Sequence, residues 1–411
     1  MTQREGPGVP QLDFDVFDSA QTHEMWDLMA AFRRQGAVAP IRGDFVYVSH
    51  YAEARAILRD EETYSNVGGM RPTGLEIPLR DASIGELGPP VHVPARKLAT
   101  TAAQGGGVLK RARPFVRATT DELIAPIAER GSGDLIGEYA LPITAQVIGW
   151  LLGMPKADCA QLAEWAEEIM VSELTVTNRT ERGEGYSGAF PEFTEYLEGM
   201  VEECLAGAGS GDDTISRILA APAEGIERSV PNVRMVLLNL VLGGTATTRD
   251  LIGNLLLEIL SAPDLYVALF EDRELIPAAI EESLRLAPPV LYLIRTCTRA
   301  VELVGVKLAA GQRVVVGVAS ANRDEEVYED AERFRVDRAN LAPHLSFGYG
   351  QHFCVGAPLA RLEAQSAVES FLDLFPPGSA RLAPGFECEW MPLPYMLGPV
   401  RIDIEGLPPV D

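Results

Sequence analysis

The chain is poor in cysteine. Its five thiols, at positions 159, 204, 297, 354 and 388, are scattered and odd in number, which makes neither a disulfide framework nor a two-by-two zinc site. Most are expected to be buried small hydrophobes. Positive charge is also scarce: 35 Lys and Arg stand against 59 Asp and Glu, a net charge of -24. Nucleic acid and anionic membrane surfaces need a cationic face, so neither is expected as a partner. Apolar runs of about eighteen residues are missing, so no membrane span is expected. Met1 to Val16 lacks the basic-then-apolar pattern of an export leader. These absences point to a cytoplasmic enzyme. What is present suits a folded body with a sizeable core: 47% hydrophobic and 23% charged residues. No repeat or break in composition divides the chain, so residues 1–411 are expected to form a single domain.

Residues 1–20 read as a loose arm, and the Gly/Pro-rich stretch 66–90 as a long irregular loop of the kind that serves a site. Apolar periodicity predicts helices over Trp26–Arg34, Tyr51–Leu58, Asp121–Ile127, Ile136–Leu152, Gln161–Val171 and Phe193–Leu205. Pro126 and Pro142 blur the limits of two of them. Phe45–Val48 reads as an edge strand, and Val301–Leu308 and Arg313–Val318 as strand-like runs. The apolar segment 233–262 predicts a long central helix, roughly 45 Å at 1.5 Å per residue. Leu275–Leu286 stops before Pro288-Pro289, and Ala357–Phe371 closes the helical pattern. The fold class is therefore mainly α with small β sheets.

One cysteine stands apart. Cys354 lies in Phe347-Gly348-Tyr349-Gly350-Gln351-His352-Phe353-Cys354-Val355-Gly356, just ahead of an Ala-rich helix. Its glycines permit tight turns and close backbone approach, and the helix amides would favour a thiolate. Alone, such a cysteine is structural or a nucleophile. The ten-residue pattern Phe-x-x-Gly-x-x-x-Cys-x-Gly, however, resembles the heme-binding loop of the cytochromes P-450. The likeness continues in order along the chain: Glu282-Ser283-Leu284-Arg285 resembles the family's Glu-x-x-Arg helix, and 334–338 the segment that supplies a further arginine.

That resemblance implies a triangular helical prism around a buried heme b (iron protoporphyrin IX), with 344–371 as the heme-thiolate loop and its following helix. It makes Cys354 the iron ligand, flanked by Phe347, Gly348 and Gly356. Glu282, Arg285 and Arg338 become a buried ionic network behind it. It assigns the heme carboxylates to His92, Arg96, Arg295 and to His344 or His352, with His352 favoured because it lies within the loop. On the oxygen side, Gly243, Gly244 and Thr247 resemble the family's groove and its alcohol, but Ala246 stands where an acid is usual. Protons then arrive through Thr245, Thr248, Asp250, water or a polar substrate group. Alternatively, the chemistry does not need that relay, as in a nitric-oxide reductase-like, peroxide-driven or ring-coupling enzyme. A non-catalytic heme protein that binds a small ligand is a further alternative.

By the same resemblance, the substrate pocket draws on residues 66–90 and 172–191, and on Asn239, Leu242, Leu291, Leu293, Ile294, Tyr395 and Met396. This suits a small apolar organic molecule such as a terpenoid, steroid, polyketide or aromatic. The implied function is a monooxygenase using dioxygen and electrons from an acidic ferredoxin with its reductase. Lys97, Lys110, Arg111, Arg113, Arg117 and Arg361 would form the basic patch that steers this partner.

Overall fold

The computed structural model describes residues 13–15, 18, 25–67, 82–173, 185–209, 211, 213–222, 225–339 and 344–406. In chain order its helices are α1 (Met25–Gln35), α2 (Tyr51–Arg59), α3 (His92–Gln104), α4 (Val108–Arg130), α5 (Leu141–Leu152), α6 (Cys159–Glu173), α7 (Gly185–Ala189), α8 (Pro191–Glu203), α9 (Thr214–Ala220), α10 (Val230–Gly244), α11 (Ala246–Ser261), α12 (Pro263–Glu271), α13 (Ile276–Leu286), α14 (Val318–Ala321) and α15 (Ala357–Leu374). Its strands are β1 (Val38–Pro40), β2 (Phe45–Val48), β3 (Tyr64–Ser65), β4 (Ser132–Asp134), β5 (Leu293–Cys297), β6 (Val301–Leu303), β7 (Val306–Leu308), β8 (Arg313–Val316), β9 (Ala380–Leu382) and β10 (Asp403–Gly406).

Proline sets where many helices begin. Pro142, Pro191, Pro231, Pro263, Pro277 and Pro358 occupy the first turn of α5, α8, α10, α12, α13 and α15, where the missing N–H has no intrahelical partner to lose. Pro114 and Pro126 are different: α4 runs through both, far beyond the expected 121–127. The expected helix 136–152 divides into a π-helical turn, Leu135–Ala140, and α5. Among the described residues this stretch, Leu135–Leu152, is long and apolar enough by length and composition to cross a membrane, although Glu138, Thr144 and Gln146 interrupt it and no unbroken apolar run is present. However, 67% of it is buried in the fold, so its apolarity serves the core.

The expected continuous helix 233–262 is interrupted. Thr245 separates α10 from α11 at φ -87°, ψ -73°. Thr245 Oγ1 donates to Val241 O at 2.8 Å and Thr247 Oγ1 to Gly243 O at 2.6 Å. Such back-bonding competes with the helix ladder and bends it.

The main sheet has the order β1-β2-β8-β5-β3. Phe45–Val48 is therefore not an edge strand: β2 lies between β1 and β8, paired in parallel with the latter. The partner is remote in sequence, so local alternation could not reveal it. Val301–Leu308 is a hairpin rather than one run, turning at Val304 and Gly305 with φ 48° and 79°. The largest apolar cluster runs through α3–α6, α8–α13 and α15, while smaller ones line the two faces of the main sheet.

Candidate active site

A cavity of about 390 Å³ lies between the α10–α11 wall and the cysteine loop. The loop is shaped by its own backbone: Cys354 N–H donates to Phe347 O at 2.8 Å, and Gly348 and Gly350 adopt φ 70° and 77°. A side chain at Gly350 would also meet Leu58 O at 2.8 Å, so glycine is required there twice over. Burial pushes the Cys354 thiol up, while the Gly356 amide, Arg96, the Ala357 amide and Arg361 pull it down. The helix amides thus act as expected, but burial outweighs them; a bound metal cation would complete the shift to thiolate.

Two ionic clamps hold this loop. Arg285 donates to Glu282 through Nε at 2.7 Å and Nη2 at 2.8 Å, and both side chains are fully buried. Arg338 Nε reaches Glu282 Oε1 at 2.7 Å. The remaining guanidinium donors meet backbone: Arg285 Nη1 binds Asn322 O at 2.9 Å and Ala331 O at 2.7 Å. Asn322 and Ser346, which sequence reading missed, carry the network into the loop. Asn322 Oδ1 accepts from Leu345 N at 2.7 Å, and its Nδ2 donates to Ser346 Oγ at 2.9 Å. In the second clamp, Glu281 on α13 accepts from Arg361 on α15 at 2.6 and 2.9 Å and pairs with His344 at 3.1 Å. Burial alone would raise Glu281; Arg361 and His344 outweigh it and hold it at about 2.

His344 is therefore spent on the clamp and is not among the residues lining the cavity. His92, Arg96, Arg295 and His352 do line it. His352 donates Nε2–H to Glu61 at 2.9 Å and accepts at Nδ1 from Asn66 Nδ2 at 3.1 Å, a tautomer assigned from this network. His352 is held neutral, at about 3, by burial and by Arg295 and Arg96. His92 lies at about 4 through burial and the neighbouring His352, despite Glu61. Neither ring nitrogen of His92 has a hydrogen-bond partner although both are buried. Burial likewise draws Arg295 down to about 10. Buried donors with partners missing and underneutralised guanidinium groups on one wall fit an anionic ligand.

Glu61, His92 and His352 offer ligand atoms within 4.8 Å of one another. The two imidazoles, however, stack at 3.8 Å with planes 14° apart. An ion bound at about 2.0–2.1 Å lies in the plane of each ligating ring, and stacked planes share no such point. The trio therefore does not suit a metal of its own, and His92 is the member with ring nitrogens left for another ligand.

On the opposite wall, the two glycines have separate tasks. A Cβ at Gly243 would meet nothing within 4 Å, whereas one at Gly244 would strike Ile148 Cδ1 of α5 at 2.4 Å. Gly243 leaves the cavity open; Gly244 allows a close helix crossing. Thr247 and Thr248 line the cavity, but Ala246 does not. It is buried in an apolar cluster with Phe14, Leu291, Tyr395 and Met396, where an acid would be stranded. Asp250, one turn on, is fully buried and bound at Oδ1 by Arg249 Nε at 2.8 Å, with Arg249 also paired to Glu167. Burial pushes Asp250 up to about 6 against the pull of Arg249. It too is absent from the lining.

Of the expected pocket residues, Asn239 and Leu293 line the cavity. Leu291, Ile294, Tyr395 and Met396 do not: they are buried in the same cluster as Ala246, with Leu242 packed on its border. The strand explains part of this, because alternate side chains of β5 face opposite ways and Leu293 and Arg295 take the cavity side. Of the stretch 66–90, Asn66, Ile84 and Gly85 line the cavity, while residues 68–81, with Met70, Leu75, Glu76, Ile77, Arg80 and Asp81, and residues 174–184 lie outside the described residues. Sequence reading also missed Glu363 on α15, which lines the cavity with no partner at Oε2. An acid on a helix face beside Leu359, Ala360 and Ala367 was the available signal.

The sequence model of the family described as Cytochrome P450 matches residues 164–377. The erythromycin C-12 hydroxylase of Saccharopolyspora erythraea is 32% identical over 367 residues, covering 88% of this chain and 89% of that protein. A structure of a mutant of P450 EryK in complex with erythromycin B superposes with TM-score 0.84 at 30% identity, covering 95% of this chain and 97% of that one. CYP109E1 from Bacillus megaterium in complex with testosterone gives 0.81 at 28% identity, with 96% and 99% covered. The arrangement of helices and small sheets is the triangular helical prism of these neighbours.

Proposed function

This chain belongs to the cytochrome P450 family and is a monooxygenase of it, and we propose that it inserts one oxygen atom of dioxygen into a small, largely apolar organic molecule. The family's members bind heme b, which when bound supplies the oxygen-activating iron. In this chain, Cys354 would provide its thiolate ligand, in a loop fixed by Glu282, Arg285 and Arg338. Phe347, Gly348 and Gly356, which line the cavity, would pack against the flat group. Arg96, Arg295 and His92 would meet its two carboxylates, with His352 held beside His92 by Glu61 and Asn66. Thr247, in the groove opened by Gly243 and Gly244, places a hydroxyl at the oxygen side. Residues 1–411 work as one domain in the cytoplasm.

Asn239 is the polar fixed point of the substrate wall and orients a substrate oxygen, while Leu293, Ile148 and Leu151 supply apolar contact. Electrons come from an external acidic ferredoxin and its reductase. The steering patch is narrower than the sequence implied: Arg117 is committed to Asp121, Glu369 and Asp373, and Arg361 to Glu281. Lys110, Arg111 and Arg113 remain exposed on that surface, and Lys97 is exposed beside them.

The observation that carries this reading is that Cys354 and Thr247 open onto one cavity rimmed by cationic and unpartnered donors. It is tested by reducing the protein under carbon monoxide: the red-shifted Soret band of a thiolate complex is expected. A spin-state shift on adding candidate substrates then ranks ligand classes. Ala246 favours one second reading, chemistry that bypasses the acid relay. Rapid nitric-oxide consumption with direct nicotinamide oxidation, or peroxide-driven turnover faster than the ferredoxin-driven reaction, would select it.

A further inference from the structure

Helix α3 stops at Gln104 because Gly105, Gly106 and Gly107 follow, the last two at φ 57° and 70°. From this helix end the Gln104 side chain reaches the cysteine loop, where Nε2 donates to Val355 O at 2.8 Å. Arg96, earlier on the same helix, donates to Phe353 O. Helix α3 thus supplies a side-chain donor to the carbonyl on either side of Cys354. The two bonds lead to different places. The peptide of Phe353 O carries the Cys354 N–H, which ends on Phe347 O at 2.8 Å. The peptide of Val355 O carries the Gly356 N–H, which bonds the Cys354 sulfur together with the Ala357 N–H.

Both of these sulfur-binding amides have their carbonyl ends engaged. For Ala357 that end is Gly356 O, which accepts from the Leu359 and Ala360 N–H groups at 2.9 Å each, so the start of α15 provides it from backbone. For Gly356 it is Val355 O, and the partner is a side chain, Gln104. A peptide is one conjugated unit. A donor at its oxygen draws charge along the C–N bond and strengthens its N–H as a donor, by about 10–30% per bond. Val355 is buried, so little water competes there. We infer that Gln104 is a positioning residue for the iron ligand: by capping the Val355 carbonyl it strengthens the Gly356 amide bond to Cys354 and draws electron density off the sulfur. The inference rests on the heme-thiolate reading above. Hydrogen bonds around a ligating sulfur set the potential of the metal it holds. Less density on the sulfur favours the reduced iron, so Gln104 eases acceptance of an electron from the redox partner.

Gln104→Met keeps the length and neutrality of the side chain and removes the donor. Its test is spectroscopic and needs no turnover. In the holoenzyme, the infrared C–O stretch of the ferrous carbon monoxide complex should fall, because a more electron-rich sulfur increases back-donation from the iron. The reduction potential should move negative, leaving about twofold less reduced protein at a fixed poise. Gln104 is exposed, so heme content and the denaturation midpoint should match wild type. Gln104→Lys restores a donor. In high salt, where its charge is screened, it should return the stretch toward the wild-type value. An unchanged stretch and potential in Gln104→Met overturn the proposal, and an intact thiolate band then leaves the monooxygenase reading standing. A shift that Gln104→Lys does not reverse, or one accompanied by heme loss, also overturns it, because the residue is then merely structural. A wild type without the red-shifted carbon monoxide band sinks the heme-thiolate reading instead.

Discussion

The two faces of the cavity treat polar groups in opposite ways. Behind Cys354, charge is locked into geometry: Glu282 accepts from two arginines and a backbone amide, and Glu281 from an arginine while paired with a histidine. Along α10–α11, the customary acid has become Ala246, Asp250 is held by Arg249 at one oxygen, and a carboxyl lining the cavity comes from another helix, Glu363. The first face must hold one geometry, and saturated hydrogen bonding does that. The second must leave room for a ligand and for a proton to move, which saturated bonding would prevent.

The sharpest way to break this contrast is Cys354→Ala. Thiolate spectroscopy and turnover should both vanish, and survival of the red-shifted band would place the ligand elsewhere. Next, Glu282→Ala strands two buried guanidinium groups, at an expected cost of about 3–5 kcal/mol. Chemical denaturation and the heme-to-protein ratio would register it, and a stable, heme-replete variant would show that the clamp is dispensable. Ala246→Asp tests whether the oxygen side lacks an acid by accident. Its apolar surroundings predict a loss of about 2–3 kcal/mol and no gain in coupling; improved coupling would show that the position does reach the cavity.

Smaller effects follow. Thr247→Ala should leave folding unchanged and lower product per reduced nicotinamide about tenfold; equal coupling would remove the hydroxyl from the mechanism. The smallest concerns the second clamp. Glu281 falls from an ordinary 4.5 to about 2 in the folded state, so its contribution is present above pH 4.5 and is lost as pH falls from there toward 2. Arg361→Gln should flatten that acid limb of the stability curve by about 1 kcal/mol.

Much of the first face was legible in the sequence because its residues are contiguous or at helical spacing. The ten-residue cysteine loop is one unbroken string, and Glu282 with Arg285 lies within one helical turn. His92 and Arg96 are four apart on α3, so their shared face followed once the helix formed. His344 misled because a histidine near the loop gives no sign of whether Glu281 will claim it. Leu291, Ile294, Tyr395 and Met396 misled similarly: apolar character marks a core residue and a pocket residue alike.

The sequence by itself determined the cysteine loop with its Glu282–Arg285 support and the mainly helical fold, since local spacing, glycine placement and proline at helix starts are properties of neighbouring residues. Tertiary structure decided the rest. It turned β2 from an edge strand into an interior one, took His344 out of the cavity, and set Ala246 in an apolar cluster. It also brought Glu363 to the same space as Thr247, more than a hundred residues away. Burial and the identity of a remote partner fix a carboxyl's charge, and neither is written in the few residues around it.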